Sequence, residues 1–399
     1  MELKEKIKAL ASTNYERVKK IREHLHANPE LSFKEFKTSD YIASALDEIG
    51  LSYTRGIAGT GIVGVLEGMN KEKRMLLLRA DMDALPITEL NNVSYKSCNE
   101  GVMHACGHDV HSASVLGALM ILNELKNDWE GSIKFIFQPG EEVLPGGASI
   151  MIKEGVLENP KVSNAIAQHV FPSMETGKVG FRKGMYMAST DEIYITVKGK
   201  GGHAAMPADY INPLLVASEL ISKLHQEFML DKKYQQDKYK DAPTVLAFGK
   251  IEGKGATNVI PDEVAIAGTF RTMDENWRNE VHTLLQKTAD EIASKWNAQI
   301  SVRIEKGYPF LVNDEVLTDS CIKAAQDYLG KENVEELPLR MTAEDFAFFS
   351  QKVPSCFYRL GTGNKEKNIT SGVHTPTFDI DPKALEVGSG LMAWLAVVG

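Results

Sequence analysis

Apolar positions in the first half of the chain fall in short dense runs, separated by segments in which they recur at helical spacing. GIVGVLE (61–67), RMLLLRA (74–80), GSIKFIFQ (131–138) and SNAIAQHV (163–170) are rich in β-favouring residues and predict strands. HSASVLGALMILNELK (111–126) carries its apolar residues three and four apart and predicts a helix. The opening stretch, residues 1–26, predicts an amphipathic helix dense in both charge signs. Strands that alternate with helices predict an α/β layer around a largely buried sheet.

Near residue 187 the pattern changes. DEIYITVKGKG (191–201) alternates like a half-exposed strand, and NPLLVASELISKLHQEF (212–228) follows as a helix opened by Asn-Pro. TVLAFGKIEGK (244–254) and EVAIAGTFRT (263–272) read as a strand pair, with a further helix over 276–295. This β-α-β-β-α order predicts a compact two-layer α+β unit of about 110 residues, inserted into the first domain. DKKYQQDKYKDAP (231–243) reads as a solvated, charged connector. After 299 the α/β pattern returns in SVRIEKGYPF, in the helix around DEVLTDSCIKAAQDYL and in the tail DPKALEVGSGLMAWLAVVG. The expected division is therefore 1–186 plus 299–399 for one domain and 187–298 for the other.

Composition narrows the class. A chain of 399 residues suits two domains, and a net charge of −9 with no basic cluster argues against a nucleic-acid partner. No run approaches the roughly 18 apolar residues of a membrane span, and the N-terminus lacks the apolar core of a signal peptide, so the expected location is the cytoplasm. Cys98, Cys106, Cys321 and Cys356 are too scattered for a disulfide framework and read as free thiols or ligands. Cys106 is set apart by its neighbours.

Those neighbours are His104, His108, Asp109 and His111, in MHACGHDVH just before a long helix. Thiolate and imidazole are ligand types that zinc and similar divalent ions take. His104 and His111 taken singly read as packing or helix-start residues, but a cluster of this density does not read as inert. Asp81 and Asp83 lie two apart on an extended segment, so both carboxylates point one way and can ligate a metal or orient a ligating histidine. Glu141 and Glu142 are adjacent and point differently, which lets one bind metal while the other acts as general base. His169 ends a predicted strand. These residues fall at or just past the carboxyl ends of separate strands, the edge at which active sites of open α/β sheets form.

On these residues the chain resembles the co-catalytic metal-dependent peptidase and amidohydrolase family that contains aminoacylases and glutamate carboxypeptidases. Within it the resemblance is to the branch of hippurate hydrolases, N-acyl-amino-acid amidohydrolases, N-acetyldiaminopimelate deacetylases and plant auxin-conjugate hydrolases. The matching segments are IREHLHANPELSF (21–33), RADMDALPI (79–87), MHACGHDVH (103–111), FQPGEE (137–142), GKGGHAAMP (199–207), TNVIPD (257–262), AEDFAFF (343–349) and HTPTFD (374–379). The wider family carries His-x-Asp where this chain has Asp81-Met-Asp83, a departure typical of the amidohydrolase branch.

The resemblance implies a co-catalytic metallopeptidase-like α/β sandwich domain with an inserted ferredoxin-like lid and dimerisation domain. It implies Cys106, His108, Glu142, His169 and His374 as metal ligands, Glu141 as the general base acting on a water at the metal, and Asp83 as an orienting residue. It also implies His203, Asn258 and Arg271 as substrate contacts, His203 at the carbonyl oxygen and the other two at the substrate's carboxylate. The implied reaction is hydrolysis of N-acetyl- or N-benzoyl-type amino acids with one or two divalent ions per subunit, zinc or manganese first and nickel or cobalt after, in a homodimer joined through the lid. A dipeptidase or carboxypeptidase of the same superfamily is the rival reading, and a non-catalytic metal-binding protein on this scaffold is the third.

Overall fold

The computed structural model describes residues 2–235 and 237–398. The predicted strands of the first half become Gly61–Glu67, Met75–Asp81, Ser132–Gln138 and Asn164–Glu175. They belong to a mixed eight-stranded sheet with the order Tyr53–Ile57, Gly61–Glu67, Ser132–Gln138, Met75–Asp81, Asn164–Glu175, Ser355–Gly363, Val179–Phe181, Val334–Glu336. Met75–Asp81 runs parallel to both its neighbours, and Ser355–Gly363 runs parallel to Asn164–Glu175. Every residue of Ser132–Gln138 and of Ser355–Gly363 is buried, which explains why the first of them reads as a dense apolar run rather than as alternation. The expected α/β class is borne out.

Three helices, Leu3–Ala27, His108–Glu124 and Ala384–Val398, pack on one another. Their contact is close because glycine permits it: a Cβ at Gly117 would lie 2.3 Å from Ser389 Oγ and 2.8 Å from Val18 Cγ2. The middle helix is buried along nearly its whole length and so carries no polar face. No helix among the described residues is long and apolar enough to cross a membrane.

The chain divides into two compact units: Met1–Tyr186 with Val312–Leu339 and Asp345–Gly399, and Met187–Leu311 with Arg340–Glu344. The second unit has a four-stranded antiparallel sheet in the order Thr244–Glu252, Glu263–Thr272, Asp191–Lys198, Gln299–Lys306. Helices Pro213–His225 and Glu275–Trp296 pack with it, a ferredoxin-like βαββαβ arrangement.

Two expectations are corrected here. Residues 299–311 were assigned to the first domain, but Gln299–Lys306 pairs along its full length with Asp191–Lys198. Asp191 extends the tie by accepting the Gly307 N–H at 3.1 Å, so the inserted unit ends about a dozen residues later than the sequence pattern suggests. A strand that closes a sheet from its far end carries no local mark of which sheet it joins. The segment 231–243 is not simply a solvated connector. Tyr239 is buried against Trp277 with ring centroids 5.1 Å apart, and buried Gln235 bonds the carbonyls of Tyr239 and Ala242. Gln236 lies outside the described residues.

Asp191 also organises its unit's core. Its carboxylate takes hydrogen bonds from the fully buried Arg278, with Nε at 3.0 Å, and meets His282 Nε2 at 2.6 Å. Although burial pushes its pKa up, His282 and Arg278 hold it below the usual range. Asp191→Ala leaves the Nε of a buried guanidinium unpaired, with Glu275 still on its Nη1, and the expected cost is about 3 kcal/mol. Thermal denaturation should read this as a lower melting temperature, and an unchanged one would rule out this account.

Candidate metal centre

Sheet register gathers the site before any side chain is considered. Asp81 is paired with Gln138, and Arg79 with Ala167, so two residues further along the parallel ladder Asp81 stands level with His169. His169 is in turn paired with Arg359. Here too the sequence expectation shifts, because the strand does not end at His169 but continues to Glu175. His169 is therefore held inside the ladder to Ser355–Gly363, which is a firmer mount than a strand terminus.

Cys106 and His108 arrive from the turn that opens the helix His108–Glu124. Gly107 makes that turn with φ of 82°, and a Cβ there would lie 2.6 Å from Val170 Cγ2. The turn is thus laid directly against the strand that carries His169. Cys106 Sγ lies 3.4 Å from His169 Nε2 and 3.3 Å from His374 Nε2. His374 Nε2 is 3.4 Å from Glu142 Oε1, and His108 Nε2 stands 3.9 Å from the same oxygen. Glu141 Oε2 is 4.0 Å from His108 Nε2, while its Oε1 faces the Asp345 N–H at 3.4 Å. Seven of the expected residues, Asp83, Cys106, His108, Glu141, Glu142, His169 and His374, are therefore brought together.

The imidazoles are oriented by their second nitrogens. His108 Nδ1 donates to Asp83 Oδ1 at 3.1 Å, and His169 Nδ1 donates to the Val170 carbonyl at 2.8 Å. Each is left with an Nε2 lone pair facing the cluster. The other oxygen of Asp83 accepts from Ser32 Oγ at 2.6 Å and from the Glu142 N–H at 2.9 Å. One carboxylate thus sets both a histidine and the glutamate loop.

The donor set fits a divalent cation. His108 Nε2 and Glu142 Oε1 are buried and have no hydrogen-bond partner, a costly arrangement unless something fills the gap. Donor atoms of Cys106, His108 and His169 lie within 4.8 Å of one another, as do those of Cys106, Glu142 and His374. Burial, with the Glu142 carboxylate, pushes the Cys106 thiol up, and a bound cation is what deprotonates such a thiol. The Cys106 thiol and the Glu142 carboxylate beside it raise His374 to about 10, so this corner of the site calls for positive charge.

Comparison with known proteins agrees with this geometry. Residues 77–397 match the model of peptidase family M20/M25/M40. The chain belongs to that family. Within the family it is 35% identical over 400 residues to thermostable carboxypeptidase 2 of Saccharolobus solfataricus, covering 100% of this chain and 99% of the relative. It is 36% identical to the N-acetyl-L-cysteine deacetylase of Bacillus subtilis, over 92% of this chain and 84% of that one. A crystal structure described as a dinuclear metal-binding peptidase of the M20 family, also from Bacillus subtilis, superimposes with a TM-score of 0.81 at 31% identity, covering 97% of this chain and 98% of that one. The expected metal-dependent amidohydrolase and peptidase family is thereby borne out.

The three remaining expected residues of this family member lie in the second unit. Exposed His203 pairs through its backbone with Val259, next to exposed Asn258, whose carbonyl accepts the Ala204 N–H at 3.0 Å. Half-buried Arg271 gives one N–H to the Met341 carbonyl at 3.2 Å.

Sequence reasoning missed the groups that hold the site in place. Asp345 accepts from Arg79 at 2.7 Å and from Gln138 Nε2 at 2.7 and 2.8 Å, linking AEDFAFF to two central strands. Buried Glu35 accepts the Gly140 N–H at 2.9 Å and so anchors the loop bearing Glu141. Arg22 and His26 meet Asp109 Oδ2 at 2.8 and 2.7 Å, tying the first helix to the segment that bears Cys106 and His108. All of these residues sit in or beside the matched segments, but a string of letters does not say which group each would find. Gly107→Ala forces a positive φ and a Cβ clash with Val170, with an expected loss of about 2 kcal/mol or more. Urea denaturation measures it, and a neutral result would mean that the turn is not pressed against the strand.

Proposed function

We propose that the protein is a divalent-metal-dependent amidohydrolase that cleaves the amide bond of N-acyl-L-amino acids of the N-acetyl or N-benzoyl type. The observation that carries this reading is the convergence of Cys106, His108, Glu142, His169 and His374 donor atoms with the Glu141 carboxylate at their border. Those five residues are the proposed ligands, for one or two ions per subunit, with Cys106 common to two donor groups. Sulfur, nitrogen and oxygen donors together suit zinc, and manganese, nickel or cobalt as alternatives. A cation held there would polarise the amide carbonyl and acidify a water beside it.

Glu141 is the proposed general base. Its carboxylate takes the water's proton and then returns it to the leaving amine nitrogen, so free amino acid and carboxylic acid depart with no net proton held by the enzyme. Asp83 keeps His108 in the Nδ1–H tautomer and thereby keeps Nε2 aimed at the site. Arg271 retains donors beyond the one given to Met341, and a guanidinium fork matches the carboxylate of an amino-acid product. Asn258 is proposed beside it, and His203 at the carbonyl oxygen.

The deacetylase relative supports the amide reading, and the carboxypeptidase relative, at nearly the same identity, favours a peptide substrate as the second reading. Release of amino acid should therefore be measured across N-acetyl amino acids, hippurate and dipeptides, with metal-stripped and metal-restored protein. Metal-restored cleavage of the acyl substrates alone is expected. Cleavage of dipeptides alone would transfer the assignment to the second reading.

Glu141→Gln should retain its metal and lose about 10²–10⁴-fold in kcat, the usual share of a general base. Cys106→Ala should lower the bound metal per chain, and unchanged stoichiometry would remove it from the ligand set. A homodimer joined through the second unit is also proposed. Thr244–Glu252 is an edge strand there, and Leu214, Leu215 and Ile251 are exposed apolar residues of the same unit. Light scattering should give twice the chain mass, falling toward one chain mass in Leu215→Glu.

A further inference from the structure

His111 and Asp81 stand among the groups that could themselves hold an ion, since their donor atoms lie within 4.8 Å of one another and of those of His108. Their hydrogen bonds argue for a different task. Asp81 Oδ1 meets His111 Nδ1 at 2.6 Å, while Asp81 Oδ2 is paired with Arg79. Across the ring, His111 Nε2 accepts the Val170 N–H at 2.9 Å. Asp81 thus selects the Nδ1–H tautomer, and that tautomer is the one whose Nε2 lone pair can receive a backbone N–H. Both nitrogens of a fully buried ring are engaged, so neither can turn to a metal without leaving Asp81 or Val170 unpaired.

Val170 is the residue that orients His169. Its carbonyl takes the His169 Nδ1–H at 2.8 Å, and its side chain fills the space against Gly107, beside Cys106. His111 therefore holds, by its N–H, the residue whose carbonyl sets the tautomer of His169 and whose side chain packs against Gly107. The His169 and His111 ring centroids are 4.6 Å apart. Resting on the metal reading above, we propose that His111 is a positioning residue and not a ligand: through the Asp81–His111–Val170 chain it fixes the His169 imidazole toward Cys106. Asp81, where the wider family carries histidine, then serves this chain and contributes no bond to the ion.

Cobalt(II) titration of the metal-stripped protein tests this, with dissociation constants from chelator competition and the visible spectrum as the second readout. His111→Leu removes donor and acceptor together, and the expected loss of cobalt affinity is about 10–100-fold with changed absorption bands. His111→Gln supplies an amide N–H and a carbonyl at nearly the spacing of the ring nitrogens, and is expected to return affinity to within about threefold with the original bands. Should His111→Leu fail to fold, Asp81→Asn keeps the shape but lets the tautomer invert, with about a tenfold loss expected. Wild-type affinity and spectrum in His111→Leu, or in Asp81→Asn where that variant is needed, overturn the proposal. Loss of one cobalt equivalent in both His111 variants also overturns it, by making His111 a ligand. Failure of the unaltered protein to take up cobalt would overturn the metal reading itself, and with it this inference.

Discussion

Charge buried at the carboxyl end of the eight-stranded sheet is the constraint on which the first unit's architecture depends. Asp81, Asp83, Asp109 and Asp345 are all buried, and each isolated charge there would cost several kcal/mol. The fold meets the cost by pairing. Arg79 answers Asp81 and Asp345, His108 answers Asp83, and Arg22 answers Asp109 at 2.8 Å. Because each partner comes from a different stretch of chain, satisfying the charges also fixes where those stretches lie.

That arrangement explains why so much of the matched sequence lies outside the proposed ligand set. Glu35, Ser32, Arg22 and His26 belong to the first helix and the turn after it, and each bonds a group that carries or holds a donor. The loop bearing His374 is held in the same way. Asp379 accepts from Arg22 Nη2 at 3.0 Å and from Tyr95 Oη at 2.9 Å, and the His374 N–H reaches the Ala105 carbonyl at 2.7 Å. His374 itself adopts φ of 61°, a conformation that a non-glycine residue keeps only where its surroundings enforce it. The result is a stiff frame with a few atoms left unpartnered at its centre, which is what preorganised binding of a cation requires.

Legibility in the sequence followed how local each signal is. The buried strands were readable because continuous apolar runs bounded by glycine and polar residues have few other uses, and the long helix before Glu124 because its spacing is helical. Ser355–Gly363 went unread although it is wholly buried at the sheet's centre, because Arg359, Thr362 and two glycines break its apolar pattern. The sequence pattern puts Gln299–Lys306 in the wrong unit, since partner choice is decided by a surface some hundred residues away in the chain.

By itself the sequence determined the kinds of groups available: a thiol, imidazoles and paired carboxylates, carried at the ends of apolar runs that could only become buried strands. It determined as well that glycine at 107 would permit a turn that few other residues could make. What the tertiary structure alone decided is which of those groups meet. Asp81 and Asp83 look alike in sequence, yet one is taken up by Arg79 and His111 and the other by Ser32, His108 and the Glu142 amide. His108, His111 and His169 are likewise the same residue type. They differ only in whether the second nitrogen finds a carboxylate, a carbonyl or an amide N–H. A histidine's role follows from the direction of its free lone pair, and that direction exists only once distant segments are packed around it.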